Sequence, residues 1–200
     1  MLTIYGSARS RASRVLWLAM ELGIPYTHQD YLPRSPETRT PAFLKLNPNG
    51  SVPVIEDDGF VLWESMAINM YLARKHGSAL HLTDPRQEAL VWQWSLWETD
   101  RLDRQLVNYV NASTGPEANR KPDVAEAMWK EVVPAMTTLD GALAGRQWLI
   151  GNAFSIADLN VASALYRGLF LDLGQWPNAK AWLERCWERP AAKKVRAMRE

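Results

Sequence analysis

The sequence predicts an α+β unit with element order βαβ then ββα, followed by an all-α unit. Three observations predict it. Two β-prone runs flank a helical pattern within the first 31 residues, and a further pair of short β-prone runs flanks Asp57-Asp58-Gly59. Beyond residue 86 the apolar spacing is helical throughout. With 200 residues and 47% hydrophobic content, the chain is long enough to bury a core in each of two small domains.

Leu2–Tyr5 reads as the first strand. After a polar loop, Val15, Leu16, Leu18, Ala19 and Leu22 fall at helical spacing up to Gly23, a C′ residue with Pro25 beyond it. Tyr26–Tyr31 completes a βαβ unit. Val52–Ile55 and Phe60–Trp63 flank an Asp-Gly pair, a strong short-range hairpin signal. Glu64-Ser65 opens a helix over Met66–Lys75 that Gly77 closes. This order is that of the thioredoxin fold, and it sets the expected boundaries: residues 1–77 for the first domain, 78–86 for a linker containing Asp84-Pro85, and 87–200 for the helical domain.

In the helical domain, Leu90, Trp94, Trp97 and Arg101-Leu102 are expected to share one face of a long helix. Ala125–Leu143 forms another, with Pro134 marking a kink or break. Eight of the ten tryptophans lie here, chiefly as core and interface filling. Phe154-Ser155-Ile156-Ala157-Asp158-Leu159 reads as a capping box between Ser155 and Asp158 with a Phe154–Leu159 hydrophobic staple, a folding device rather than a chemical one.

Composition excludes several classes of function. The formal charge is +1, which gives no bulk electrostatic reason to expect a nucleic-acid or membrane-surface partner. There is no signal-peptide pattern and no membrane-length apolar run, so a cytosolic location is expected. The single cysteine, Cys186, leaves no internal disulfide, CxxC pair or cysteine-based metal motif. Cys186 is expected to be buried filler, so a thioredoxin-like fold here has to work with a borrowed thiol.

The chemistry concentrates between Asn47 and Ser65. Pro53 cannot donate to a ladder, which places it at the start or edge of its strand, and a cis Val52-Pro53 bond leaves the Val52 amide and carbonyl for an extended peptide. The helix opened by Ser65 presents unpaired amides and a positive dipole end to a carboxylate, while Glu64 offers a counter-charge to an ammonium. Either residue alone reads as an ordinary cap or a solvated acid. Together with Val-Pro they match an α-amino acid head group.

These residues carry a resemblance to the cytosolic glutathione transferase family. N-P-N-G-S-V-P-V-I and E-S-x-A-I-x-x-Y-L-A, from Asn47 to Ala73, resemble its segments, as do Tyr5-Gly6 through Gly23 and Ser155–Leu159. The resemblance implies a thioredoxin-like domain that binds glutathione as co-substrate, with no cofactor and no metal. Val52 and Pro53 would meet its cysteinyl backbone, Glu64 and Ser65 its γ-glutamyl end, in a homodimer. It also implies a donor to the thiolate in the loop after the first strand. S-R-A-x-R-x-L-W resembles the serine-bearing bacterial and fungal members and points to Ser10, with Ser13 and Ser7 as rivals.

A serine without an adjacent base acts by electrostatic stabilisation of the sulfur anion rather than by taking its proton. Ser13 reads equally as a cap for a helix from Arg14, and Ser7 as a turn residue. Arg11 and Arg14 add positive field, while Tyr5 is expected within the strand. Where many relatives carry Lys before Val-Pro this chain has Ser51, so Arg39 or Lys45 is expected to meet the glycyl carboxylate. Asp100 resembles an acid that in some relatives reaches across the dimer, although a solvated helix surface is the simpler expectation. The electrophile pocket is expected between the domains, with Trp97, Arg101 and Tyr109 making an aromatic-rich lining for hydrophobic electrophiles. The implied activity is conjugation of glutathione, with a non-catalytic scaffold as the alternative.

Overall fold

The computed structural model describes residues 1–77, 79–114 and 116–199. Ser78 and Glu200, which the expected linker and helical domain include, lie outside the described residues. The chain divides into two compact units, one of residues 1–81 with 188–200 and one of residues 82–187.

The first unit holds a four-stranded sheet of β1 (Leu2–Tyr5), β2 (Tyr26–Gln29), β3 (Val54–Asp57) and β4 (Phe60–Trp63), in the order β2-β1-β3-β4. β1 pairs with β2 in parallel, Leu2 opposite Tyr26, and with β3 antiparallel, Tyr5 opposite Val54. β3 and β4 form the anticipated hairpin. Asp58 at φ 52° and Gly59 at φ 85° supply the two positive torsions that a tight two-residue turn requires. The second strand stops at Gln29, two residues short of the expected end, where the Tyr31 amide turns back to donate to the Gln29 carbonyl at 2.8 Å.

Helix α1 (Ala12–Leu22) buries every residue from Ala12 to Ala19, and Gly23 at φ 63° ends it in the left-handed conformation. A 3₁₀ turn (Pro36–Arg39) and α2 (Pro41–Leu46), which sequence periodicity did not reveal, carry the chain from β2 to β3. Thr40 Oγ1 caps α2 by accepting from the Phe43 amide at 3.2 Å. Helix α3 (Ser65–Lys75) packs on α1. The βαβ–ββα order of a thioredoxin-like fold is therefore present.

The second unit is helical: α4 (Pro85–Glu98), a π-helical turn (Thr99–Asp103), α5 (Arg104–Ser113), α6 (Pro122–Ala142), α7 (Ile156–Ala164) and α8 (Pro177–Trp187). Pro134 does not break α6. The carbonyl that loses its donor is that of Lys130, a residue on the exposed side of the helix. Leu90 is 40% exposed rather than on the inner face of α4, which instead runs through Val91, Trp94, Ser95 and Glu98. The π turn then carries the buried face on to Leu102.

The anticipated capping box is built around Asp158. Its Oδ2 accepts the Ser155 amide and hydroxyl at 3.0 Å each, and its Oδ1 accepts the Leu149 amide at 2.9 Å and Trp182 Nε1 at 2.8 Å. Cys186 is fully buried.

The expected boundary of the helical domain needs one correction. α9 (Pro190–Ala197) packs on α1 of the first unit. A forked ion pair holds it there, Arg189 Nε and Nη2 each 2.8 Å from the Glu21 carboxylate.

Candidate active site

The loop between β1 and α1 is organised by its own backbone. Gly6, at φ 133°, takes a torsion open to glycine, and a Cβ there would lie 2.9 Å from the Val52 side chain, so the loop and the Val52-Pro53 segment approach closely. The Ser7 carbonyl accepts the Ser10 amide at 2.8 Å and the Ser10 hydroxyl at 2.7 Å. Ser10 Oγ in turn accepts the Ala12 amide at 3.1 Å, which opens α1. Ser10 is half-buried.

Its rivals are enclosed: Ser7 is 4% and Ser13 3% exposed. Ser7 Oγ accepts the Arg9 amide at 3.3 Å, as a turn residue does. Ser13 is not a cap, because α1 already starts at Ala12; its hydroxyl donates to the Ser10 carbonyl at 2.9 Å. Tyr5 Oη donates to Glu56 at 3.4 Å, and burial, then the Glu56 charge, raises its pKa above the ordinary tyrosine value. Both effects hold the phenol away from the acidity a thiolate donor needs.

Beside this loop lies the start of α3. Glu64 precedes the helix at φ 73° and ψ 114°, an uncommon torsion for a residue with a side chain, and its side chain does not cap the helix. The first-turn amides of α3 thus have no side-chain cap from Glu64. Ser65, the first helical residue, is 5% exposed, and its Oγ accepts from Arg14 Nη1 at 3.3 Å. Arg14 is 3% exposed, so its guanidinium is an inward-facing part of the site.

The third part is the segment from Asn47 to Pro53. The Val52-Pro53 bond is cis, as expected, and the ladder with β1 begins only at Val54, which leaves Val52 ahead of it. Asn47, 1% exposed, ties the segment down: Nδ2 donates to the Ser51 carbonyl at 2.8 Å and Oδ1 accepts the Asn49 amide at 3.0 Å. Arg39 lies against this segment, since a Cβ on Gly50 would meet its Nη1 at 2.6 Å. Lys45 is exposed near the end of α2. Ser10, Val52, Pro53, Glu64 and Ser65 thus belong to three neighbouring stretches of the first unit, and Arg39 to a fourth, the 3₁₀ turn that lies against Gly50.

In the helical unit, Trp97 and Arg101 line a cavity of about 400 Å³ with Asp100, Gln105, Glu131 and Thr138 among their neighbours. Trp97 is its one aromatic residue, so this cavity is more polar than the expected lining. Tyr109 lies elsewhere, its ring 4.6 Å from that of Trp129. Asp100 is on the surface and pairs with Arg101 at 2.8 Å.

Three residues that sequence reasoning did not single out hold the site together. Asn47 opens the N-P-N-G-S-V-P-V-I motif and bonds back to it through Ser51 and Asn49. His28 Nε2 donates to the Gly6 carbonyl at 2.9 Å, and the carbonyl, an acceptor only, requires that nitrogen to carry the proton. Arg199 donates to the Ala8 carbonyl at 2.7 Å. His28 and Arg199 act over long sequence separations, which leave no local signal.

The chain thus joins a thioredoxin-like unit, with a cis-proline strand entrance, a helix start that Glu64 does not cap and a serine loop, to a helical unit. The sequence matches the glutathione S-transferase N-terminal domain over residues 9–75 and the C-terminal domain over residues 102–190. It is 32% identical to glutathione S-transferase GstB of Escherichia coli (strain K12), covering 98% of this chain and 97% of that one.

Among solved structures, the theta class glutathione S-transferase of Xanthomonas axonopodis pv. citri, with glutathione bound, superposes with a TM-score of 0.90 at 31% identity. That match covers 97% of this chain and 96% of the other. Glutathione transferase F7 of Populus trichocarpa superposes with a TM-score of 0.89 at 25% identity, over 100% of both chains. The chain belongs to the glutathione S-transferase family.

Proposed function

We propose that this glutathione transferase binds glutathione along the first unit, ionises its thiol, and joins the sulfur to a hydrophobic electrophile. The observation that carries the reading is the convergence of the Ser10 loop and the Val52-Pro53 segment at Gly6, with Arg14 linking α1 to Ser65. Val52 pairs with the cysteinyl backbone in the manner of an added strand. The α3 amides and Ser65 take the γ-glutamyl carboxylate, and exposed Glu64 takes its ammonium. Arg39 meets the glycyl carboxylate, with Lys45 as a second cation on the same side of the sequence segment.

An ordinary thiol, with a pKa near 8.5, is mostly protonated at neutral pH. Ser10 donates its hydroxyl to the sulfur anion and favours ionisation. The bond to the Ser7 carbonyl has to be released for this, but that carbonyl keeps the Ser10 amide, so no buried acceptor is stranded. The sulfur then forms a bond to an electrophilic carbon, which either expels a leaving group with its electron pair or passes a bonding pair to its neighbouring atom, where a proton from water adds. Trp97 and Arg101 supply contacts to that substrate; Tyr109, its ring tilted against that of Trp129, has a supporting role.

The protein acts as a cytoplasmic homodimer in detoxification. Among the described residues no helix is long and apolar enough to cross a membrane. Phe60 and Trp63 on β4, 48% and 38% exposed, and Trp92 and Leu96 on α4, 43% and 64% exposed, supply apolar surface for a second copy. Sedimentation analysis tests the dimer.

The ultraviolet difference spectrum of bound glutathione against pH tests the site. Thiolate formation well below pH 8.5 in the wild type, lost in Ser10→Ala, supports the reading. Binding without ionisation removes the thiolate step, and absence of binding leaves the scaffold alternative.

A further inference from the structure

The carbonyls of the candidate catalytic loop are held by a residue almost 190 positions away. Arg199 Nη1 donates to the Ala8 carbonyl at 2.7 Å and to Ser13 Oγ at 2.7 Å, with the Ser10 carbonyl at 3.5 Å. Ser13 Oγ passes the constraint on. With one lone pair taken by Arg199, it directs its own proton to the Ser10 carbonyl at 2.9 Å. One guanidinium therefore fixes the Ala8–Arg9 peptide directly and the Ser10–Arg11 peptide through Ser13.

We propose that Arg199 is a positioning residue for thiol ionisation: it turns the Ala8 and Ser10 carbonyls toward itself and so sets the Ser10 hydroxyl and the donor face of the loop. The proposal rests on the reading of Ser10 as the thiolate donor. In a planar trans peptide the C=O and N–H groups point in opposite directions, so anchoring these carbonyls orients the amides that follow them. A carbonyl oxygen turned toward a sulfur anion would oppose its formation, whereas a guanidinium bonded to those oxygens cancels their negative ends and adds positive field. Charge-assisted bonds of this length are the stronger kind, which suits a loop whose geometry must hold as charge develops.

A purely structural role makes a different prediction, because α9 has a second tie to α1. Arg189 forks onto Glu21, near the C-terminal end of α1 and far along the helix from the loop that precedes Ala12. Its loss weakens the docking of α9 as a whole, while loss of Arg199 removes the hold on the loop itself.

The experiment uses the full chain as wild type, Arg199→Ala, Arg199→Lys, Arg189→Ala and Ser10→Ala. Bound glutathione is titrated by difference spectroscopy, thermal midpoints are recorded, and kinetics are run with an activated chloroarene as electrophile. Arg199→Ala is expected to raise the apparent thiol pKa by about 0.5–1 unit and lower kcat by about three- to tenfold below pH 7, with KM for glutathione within about twofold. Arg199→Lys, which keeps the charge and a donor, is expected to recover most of the shift.

Arg189→Ala is expected to lower the thermal midpoint and leave the thiol pKa unchanged. A wild-type thiol pKa in folded Arg199→Ala overturns the proposal, as does an equal shift in Arg189→Ala. Should Arg199→Ala not fold, Arg199→Gln is read by the same criteria. An unchanged thiol pKa in Ser10→Ala strikes the Ser10 reading instead, and failure of the wild type to bind glutathione strikes the proposed function.

Discussion

The Ser7 carbonyl oxygen takes two donors from Ser10, its amide at 2.8 Å and its hydroxyl at 2.7 Å. Removing the hydroxyl therefore leaves the carbonyl paired, and the cost to stability is confined to the Ala12 amide, about 1 kcal/mol. Ser10→Ala is expected to remain folded, with kcat lowered by about 10- to 100-fold. Thermal melting beside steady-state kinetics checks the separation of the two effects.

Glu64 is expected to separate binding from stability in the opposite direction. Its positive φ of 73° is strained for a glutamate and free for a glycine. Glu64→Gly should raise the unfolding free energy by up to about 1 kcal/mol while raising KM for glutathione several-fold through loss of the counter-charge to the ammonium. Denaturant unfolding and glutathione titration of the same variant read both signs.

Ser51 is exposed, and its carbonyl rather than its side chain takes the shorter of the two Asn47 bonds, 2.8 Å against 3.1 Å. Ser51→Lys is expected to keep the segment in place and lower KM for glutathione by about two- to tenfold through a cation for the glycyl carboxylate. γ-Glutamylcysteine, which lacks that carboxylate position, should show no such gain. An equal gain with both substrates would assign the effect to general charge.

Asp158 is predicted to be a stability position without a direct role in chemistry. Burial raises its pKa above the ordinary aspartate value, against the opposing pull of the bonds from Leu149, Trp182 and Ser155. Asp158→Ala leaves those buried donors without their acceptor, at a cost of roughly 3–5 kcal/mol. Chemical denaturation should show this loss, and the fraction that remains folded should retain a normal thiol titration.

Asp57 gives an acid-side dependence of stability. Burial alone would raise its pKa, but hydrogen bonds from Lys75 and Tyr71, with the Lys75 charge, outweigh it and hold the carboxyl below the ordinary value of 3.8. A depressed carboxyl stabilises the fold in full above that value and loses the contribution as pH falls below it. The thermal midpoint of wild type minus Asp57→Asn is expected to be flat between about pH 5 and 8 and to shrink below about pH 4. A difference that persists unchanged at pH 3 would rule out the carboxylate as its origin.

The parts of the fold legible in the sequence are those specified by neighbouring residues. Gly23 ends α1, Asp58-Gly59 turns the hairpin, and Ser155 with Asp158 starts α7, each by a local torsion or a bond across three residues. Leu90 and Trp94 have the spacing of one helix face, but the buried stripe of α4 runs through Val91, Trp94, Ser95 and Glu98 and leaves Leu90 at its edge, which apolar spacing alone does not distinguish. The short α2 has too few residues to show a period. The cis bond before Pro53 and the helix start at Ser65 are legible because a proline and a helix start have fixed backbone consequences. The supports from His28 and Arg199 depend on which distant strand or helix lies alongside, and no local pattern encodes that.

The return of α9 to the first unit has a consequence for the order of events during synthesis. The strands, α1 and α3 emerge first, yet the contacts from Arg189 to Glu21 and from Arg199 to the serine loop wait until the whole helical unit has been made. Contacts that close so long an intervening chain carry a high entropic cost and form late. A nascent chain that has completed its sheet therefore still lacks the Arg199 brace on the Ser7–Ser13 loop, which closes only after residues 190–199 have emerged.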